Sequence, residues 1–257
     1  MYKIKIGAQL FTIRDFTQTE RGFDESMGKL SAIGYKCAQL SAMGDMDPGR
    51  LRETLDKRGI AAVSTHTSPE KVLNQTDEVI KAHKTLGASY IGIGSMPGQY
   101  RGSAEGTRRF IRDFTPAAQK IADAGLLFMY HNHGFEFEVF DGRLMIEALM
   151  EGFPPELMGF TLDVYWAQYA GADPAYWLKR LKGRIETIHY KDMRIVNDEQ
   201  RFAPIMEGNL NWEAIFPASA ENGAKWAFIE QDHSYGEDPF SCLETSFNNL
   251  MAAGFEA

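Results

Sequence analysis

The stretch Gly125-Leu126-Leu127-Phe128-Met129-Tyr130-His131 contains the unit from which the chain is built. Its glycine closes a segment of helical period over about residues 104–124, because glycine enters the left-handed region without steric cost. Residues 126–130 then form a continuous apolar run, the pattern of a parallel strand buried on both faces, and a histidine stands at its end. The same order recurs upstream. A strand over 5–10 precedes a helix whose apolar face is Phe23, Met27, Leu30 and Ile33, stopped by Gly34. Strand 37–40 precedes helix 48–58. Strand 60–65 precedes a helix over 69–86, with Ser68 as N-cap and Pro69 at its first position. Residues 90–93 are the fourth strand. Downstream, strands 158–162, 185–188 and 226–229 alternate with helices around 144–150, from Asp173-Pro174, over 211–221 and over 239–252.

Eight strands, each followed by a helix, in about 250 residues predict a closed (β/α)8 barrel, an α/β fold forming one domain over 1–257. No Gly-x-Gly-x-x-Gly follows the first strand, which removes the dinucleotide-binding open sheet. No Ser/Pro linker or charge block marks a boundary. The 27 Lys and Arg against 35 Asp and Glu give a net charge of −8, which disfavours a nucleic-acid partner because duplex binding relies on neutralising phosphates. No apolar run approaches the roughly 20 residues of a membrane span. The start, Met1-Tyr2-Lys3-Ile4-Lys5-Ile6, alternates like a strand and lacks a signal-peptide core. Cys37 and Cys242 lie far apart without metal-site spacing, so reduced thiols in a cytoplasmic protein are expected.

Function in such a barrel sits at the C-terminal ends of the strands. The polar residues there are Gln9 and Arg14, Gln39, His66, Ser95, then His131, His133 and Glu136, Asp163, His189 with Lys191 and Asp192, and Glu230 with Gln231 and Asp232. Of the six histidines, only His83 falls within a helix, away from strand ends. Glu136, Asp163, His189 and Glu230 come from four successive strand ends, and three carboxylates with one imidazole suit a single divalent ion such as Mn²⁺, Mg²⁺, Co²⁺ or Zn²⁺. His131 is the alternative first ligand, and His133 a base or substrate contact. Lys191, on the same side as His189, is placed to polarise a carbonyl; a surface ion pair with Asp192 is the alternative. Phe11, Phe135, Tyr165 and Trp166 follow strand ends and are suited to stacking on a sugar ring, whereas Trp177, Trp212 and Trp226 read as packing. The segment 207–212 reads as structural, with Asn211 capping a helix.

Taken in order, residues 6–15, 130–137, 161–166, 188–192 and 229–232 resemble the xylose isomerase-like barrel superfamily, often called sugar phosphate isomerases/epimerases. The likeness covers essentially the whole chain. It implies one metal held by Glu, Asp, His and Glu, here Glu136, Asp163, His189 and Glu230. In the superfamily's ketose epimerases the first ligand stands directly at the end of strand five, where this chain has His131. The His131-Asn132-His133-Gly134-Phe135-Glu136 variant resembles instead the branch of inosose dehydratase-like and 3-keto-sugar enzymes, in which the glutamate past the histidines takes the metal.

The expectation is a metal-dependent isomerase or epimerase acting on a keto-sugar or polyol-derived carbonyl through an enediolate. Glu230, His133 and Lys191 are its catalytic candidates, and Gln9, His66, His131, Trp166 and Arg194 its substrate contacts. A dehydratase or lyase acting on an inosose or 3-keto-glycoside shares the early chemistry. An abasic-DNA endonuclease of the same superfamily would need more metal-binding histidines and a basic groove. A sugar-binding barrel without catalysis is the rival from another class. The partner is a small-molecule sugar, with neither nucleic acid nor membrane, and subunit number is open between monomer and homo-oligomer.

Overall fold

In a computed structural model that describes residues 1–256, the chain closes eight parallel strands into a barrel. The strands in chain order are β1 (Lys5–Gln9), β2 (Cys37–Leu40), β3 (Ala61–His66), β4 (Tyr90–Ile93), β5 (Leu127–His131), β6 (Val139–Phe140), β7 (Arg143–Leu144), β8 (Met158–Asp163), β9 (Ile185–Tyr190), β10 (Asp192–Val196), β11 (Glu199–Ala203) and β12 (Trp226–Ile229). Neighbours around the barrel run β1-β12-β9-β8-β5-β4-β3-β2, and β6-β7 and β10-β11 are separate antiparallel hairpins. The eight strands read from the sequence are therefore β1 to β5, β8, β9 and β12. The last residue of the expected domain, Ala257, lies outside the described residues.

The helices are α1 (Glu20–Ile33), α2 (Pro48–Arg58), α3 (Pro69–Asn74), α4 (Thr76–Leu86), α5 (Ala104–Asp123), α6 (Met145–Gly152), α7 (Val164–Tyr169), α8 (Pro174–Arg180), α9 (Trp212–Asn222) and α10 (Pro239–Ala252). Their ends follow local chemistry. Asp47, Asp173 and Asp238 each cap a helix that begins with proline, and Gly59, Gly87 and Gly223 close helices in the left-handed conformation. The single helix expected over 69–86 is broken at Gln75, whose backbone (φ −137, ψ 40) leaves the helical region between α3 and α4.

Side-chain alternation divides the barrel interior into layers. At the bottom Cys37, Val63, Tyr90, Met129 and Phe228 form a plug separate from the larger core between strands and helices. One step up, Gln39 donates to Ser64 and the Thr161 and Thr187 hydroxyls pair at 2.6 Å. Two residues above Met129, Thr161, Thr187 and Phe228 stand His131, Asp163, His189 and Glu230. A period of two thus carries the apolar plug directly into a polar mouth. Register shifts between β2 and β3, and between β8 and β9, are bulges that re-aim residues toward that mouth.

Candidate metal centre

His131, Asp163, His189 and Glu230 each offer one ligand atom, and those atoms all lie within 4.8 Å of one another. All four side chains are buried. Each stands within one residue of the end of β5, β8, β9 or β12, so four successive strands of one barrel wall supply them.

The two imidazoles are fixed by partners behind them. His131 Nδ1 lies 2.8 Å from the Gly94 carbonyl, which accepts only, so Nδ1 carries a proton and Nε2 is the nitrogen turned to Asp163 Oδ2 at 3.2 Å. His189 Nε2 lies 2.6 Å from Gln39 Oε1, so its bare Nδ1 faces Glu230 Oε2 at 2.9 Å and Asp163 Oδ2 at 3.7 Å. Such outer partners commonly set the tautomer of a metal-binding histidine. Asp163 is held by its own cap contact, Oδ1 accepting from Trp166 N at 3.0 Å, while Asn132 Oδ1 accepts from Asp163 N at 2.9 Å and ties β5 to β8. Gln9 Nε2 donates to Glu230 Oε1 at 3.0 Å.

Lys191 completes the centre. It is 1 % exposed, and its Nζ lies 3.1 Å from Asp163 Oδ2, 2.9 Å from Glu230 Oε2 and 2.8 Å from Asp232 Oδ1. Burial works against its ammonium, but Asp163, Glu230 and Asp232 outweigh it and hold the pKa well above the ordinary value. Burial likewise opposes the Asp163 and Glu230 carboxylates, and Lys191 above all overcomes it and keeps both ionised.

The donor set fits a divalent cation on two grounds. The ionised Asp163 and Glu230 against one ammonium leave a negative charge uncompensated in a buried space, to which Asp232 adds whenever it is ionised, a cost that a cation removes. His189 Nδ1 is buried with no hydrogen-bond partner, and it faces a carboxylate oxygen that also repels a lone pair. Only a proton or a cation relieves that opposition. Burial opposes charging His189, yet Glu230 and Asp163 raise its pKa above the ordinary value, so positive charge is stabilised there. Two nitrogens and two carboxylates suit Zn²⁺, Co²⁺ or Mn²⁺.

Glu136, expected as first ligand, is not among the four. It follows the outward-facing Tyr130 rather than the inward-facing His131. Its Oε1 accepts from the Tyr130 hydroxyl and its Oε2 from His133 N, both at 2.7 Å, and it is wholly buried. Burial raises its pKa to about 7 against those two bonds. The position that Glu136 was to fill is occupied by His131, because the strand itself delivers an inward side chain there and the turn does not curl back to the axis.

The other candidates fall in two groups. His66 and His133 flank His131, with ring centroids 5.1 and 4.9 Å from it, and Trp166 lies 5.2 Å from His133 and beneath Lys191 Nζ at 5.6 Å. Burial and the neighbouring imidazoles hold His66 well below its ordinary pKa and bring His133 to about 3. Arg194 instead sits on the β10–β11 hairpin, where its guanidinium reaches Glu237 at 3.4 Å. Lys191 and Asp192 form no surface ion pair. Asp192 is buried and accepts from the backbone N–H groups of Met193, Met206, Gly208 and Leu210 and from Trp212 Nε1, which anchors the hairpin and the loop after it. Asn211 caps α9 through Ala214 N. Gln39 and Asp232 stood among the strand-end residues but without a role; the inward parity that Gln39 shares with Cys37 was the signal for it.

Barrel, parity and mouth together define a (β/α)8 protein with a buried four-donor centre. The chain belongs to the xylose isomerase-like TIM barrel family, whose model matches residues 27–244. It is 22 % identical over 250 residues to the inosose dehydratase of Clostridium botulinum (strain Alaska E43 / Type E3), covering 83 % of each chain. A sugar phosphate isomerase/epimerase from Parabacteroides distasonis ATCC 8503 shares the fold at a TM-score of 0.83 and 24 % identity, over 100 % of this chain and 96 % of that one. The IOLI protein, solved with a bound zinc atom, shares it at a TM-score of 0.72 and 15 % identity, over 97 % of each chain. Among the described residues no helix is long and apolar enough to cross a membrane.

Proposed function

We propose that this chain is a divalent-metal-dependent enzyme acting on a polyhydroxy carbonyl compound, a keto-sugar or inosose, from which it removes the proton beside the carbonyl and then a β-hydroxyl as water. The observation that carries this reading is the buried tetrad His131, Asp163, His189 and Glu230, with Lys191 against it. A divalent ion held by those four residues supplies Lewis acidity toward a carbonyl oxygen and a neighbouring hydroxyl. Glu230 is the base: Oε2 faces the other three donors of the tetrad and would hold the ion, and Oε1, which Gln9 orients, is the oxygen left to take the proton. Lys191 stabilises negative charge developing on oxygen and donates the proton that leaves with the hydroxyl. Trp166, His66 and His133 wall the space and exclude water, and Gln9, His66 and His133 orient substrate oxygens. Arg194 contributes at the rim.

Elimination is favoured over epimerisation by the end of β5. Inversion at carbon needs a proton acceptor on one face and a donor on the other. Here β5 ends on an imidazole engaged with Gly94 and Asp163 rather than on a carboxylate, so the end of β5 offers Glu230 no second carboxylate to work with as donor on the opposite face. Isomerisation, in which Glu230 returns the proton on the same face, is the second reading and rests on the same base.

Inososes, keto-sugars and 3-keto-glycosides incubated with Mn²⁺ in deuterated water test the proposal. At least one is expected to exchange its carbon-bound proton and lose water, with neither event after chelation or in Glu230→Gln. Full turnover in the metal-free protein or in that variant would falsify the mechanism. Metal and sugar binding with no deuterium entry would point to a sugar-binding barrel instead.

A further inference from the structure

Four histidines meet at the mouth, and their partners sort them into two kinds. His131 and His189 turn ring nitrogens toward the carboxylates, as described above. At His66 the contacts run the other way. Its Nδ1 lies 3.3 Å from Gln9 Nε2 and 3.3 Å from Ser41 Oγ. The orientation of the Gln9 amide is fixed, because Oε1 accepts from Phe11 N and Nε2 donates to Glu230. An amide nitrogen donates only, so His66 Nδ1 must accept, and the ring proton sits on Nε2. That Nε2 is buried and has no hydrogen-bond partner. A buried unpaired donor costs about 1–3 kcal/mol, and a substrate oxygen would remove that cost.

His133 repeats the pattern on the other side of His131. Its Nδ1 lies 3.4 Å from Ser95 Oγ, which itself accepts from Arg101 Nη2 at 2.8 Å. Arg101 takes one Ser95 lone pair and leaves the hydroxyl proton free; donated to His133 Nδ1, it puts the His133 proton on Nε2 as in His66. Arg101 is held in place by a bond from Nε to the Met96 carbonyl at 2.7 Å and by stacking on Phe135 at 4.1 Å.

We propose that His66 and His133 act as paired Nε2–H donors to two neutral oxygens, hydroxyl or carbonyl, of the bound sugar, and that Ser41, Ser95 and Arg101 are positioning residues that hold them in that tautomer. The inference builds on the reading above for the identity of the ligand, while the tautomers are a property of the chain alone. His133 is then an orienting donor and not the proton-abstracting base, which leaves that task to Glu230.

Long-range ¹H–¹⁵N spectra of the zinc-loaded protein read each ring nitrogen directly. The expected spectrum shows His66 and His133 protonated on Nε2 and His131 on Nδ1. Ser95→Ala is expected to shift His133 toward a mixed tautomer without altering His66, to raise KM about tenfold more than it lowers kcat, and to leave zinc affinity unchanged; Ser95→Thr restores all three. Arg101→Met, at an exposed position, gives the same His133 change should Ser95→Ala fail to fold. A His133 proton on Nδ1 in the parent protein overturns the proposal, as does a spectrum that neither variant changes. Failure to bind zinc would instead strike the metal reading, since the metal-free spectrum still reports the His66 and His133 tautomers.

Discussion

Gln39 lies on β2, across the barrel from the wall that supplies the four candidate ligands, yet it touches the centre through one bond of 2.6 Å to His189 Nε2. Gln39→Leu keeps approximate volume and removes that acceptor. The His189 N–H is then left buried without a partner, at a cost of about 1–3 kcal/mol. The ring can escape the cost by moving its proton to Nδ1, which is the nitrogen that the metal needs bare. Outer-shell partners of this kind are worth about 10- to 100-fold in metal affinity, or about 1.4–2.7 kcal/mol, and the two ranges overlap. Calorimetric titration of Zn²⁺ into the metal-free variant is therefore expected to give a Kd weakened by one to two orders of magnitude, with thermal unfolding still cooperative. Gln39→Glu retains an acceptor oxygen and is expected to recover most of the affinity. A Gln39→Leu protein that folds and binds Zn²⁺ within a factor of two of the parent refutes the tautomer-setting role and, with it, Nδ1 as the ligand atom.

Three further outcomes follow from other parts of the molecule. His131→Ala is expected to abolish stoichiometric metal binding in equilibrium dialysis, while Glu136→Gln retains it and lowers only stability; the opposite pairing would restore Glu136 as the ligand. His83 is buried between Val79 O and Thr65 Oγ1, both 2.7 Å away, and burial holds its pKa below 6.5 against the Val79 carbonyl. The unfolded chain takes up this proton first, so the His83 contribution is intact above about pH 6.5 and declines as pH falls from there toward the folded pKa. Urea midpoints measured between about pH 7 and 5 should lose part of this slope in His83→Gln, and an unaltered slope contradicts it. Asp192→Ala strands five donors at once and is expected to cost about 3–5 kcal/mol in urea unfolding; a loss below about 1 kcal/mol would remove Asp192 as the anchor of the β10–β11 hairpin.

The barrel was legible in the sequence because parallel strands covered on both faces appear as largely apolar runs, such as Leu126 to Tyr130, alternating with segments of helical period that carry glycine or proline at an end. Less visible were elements fixed by contacts remote in sequence. The β10–β11 hairpin depends on Asp192 gathering N–H groups from residues up to twenty positions later, and the break at Gln75 carries neither a glycine nor a proline to announce it. At the candidate site, the strand-end rule alone was enough to group Asp163, His189 and Glu230, which do lie close together. Which residue from the end of β5 joins that cluster turned on parity: residues 129 and 131 face in, while Tyr130 faces out and draws Glu136 after it. Applying period two to Met129 would have chosen His131 over Glu136, whereas the direction of the turn at Gly134 leaves no mark in composition. The role of Gln39 was hidden for the same reason, since its partner is 150 residues away.

Anomalous diffraction from crystals grown with Mn²⁺ reads the ion and its ligands together. A single peak bonded to His131 Nε2, Asp163 Oδ2, His189 Nδ1 and Glu230 Oε2, with Lys191 displaced only slightly, is the expected result. A peak on Glu136, or a mouth that binds no ion at millimolar Mn²⁺, would contradict it.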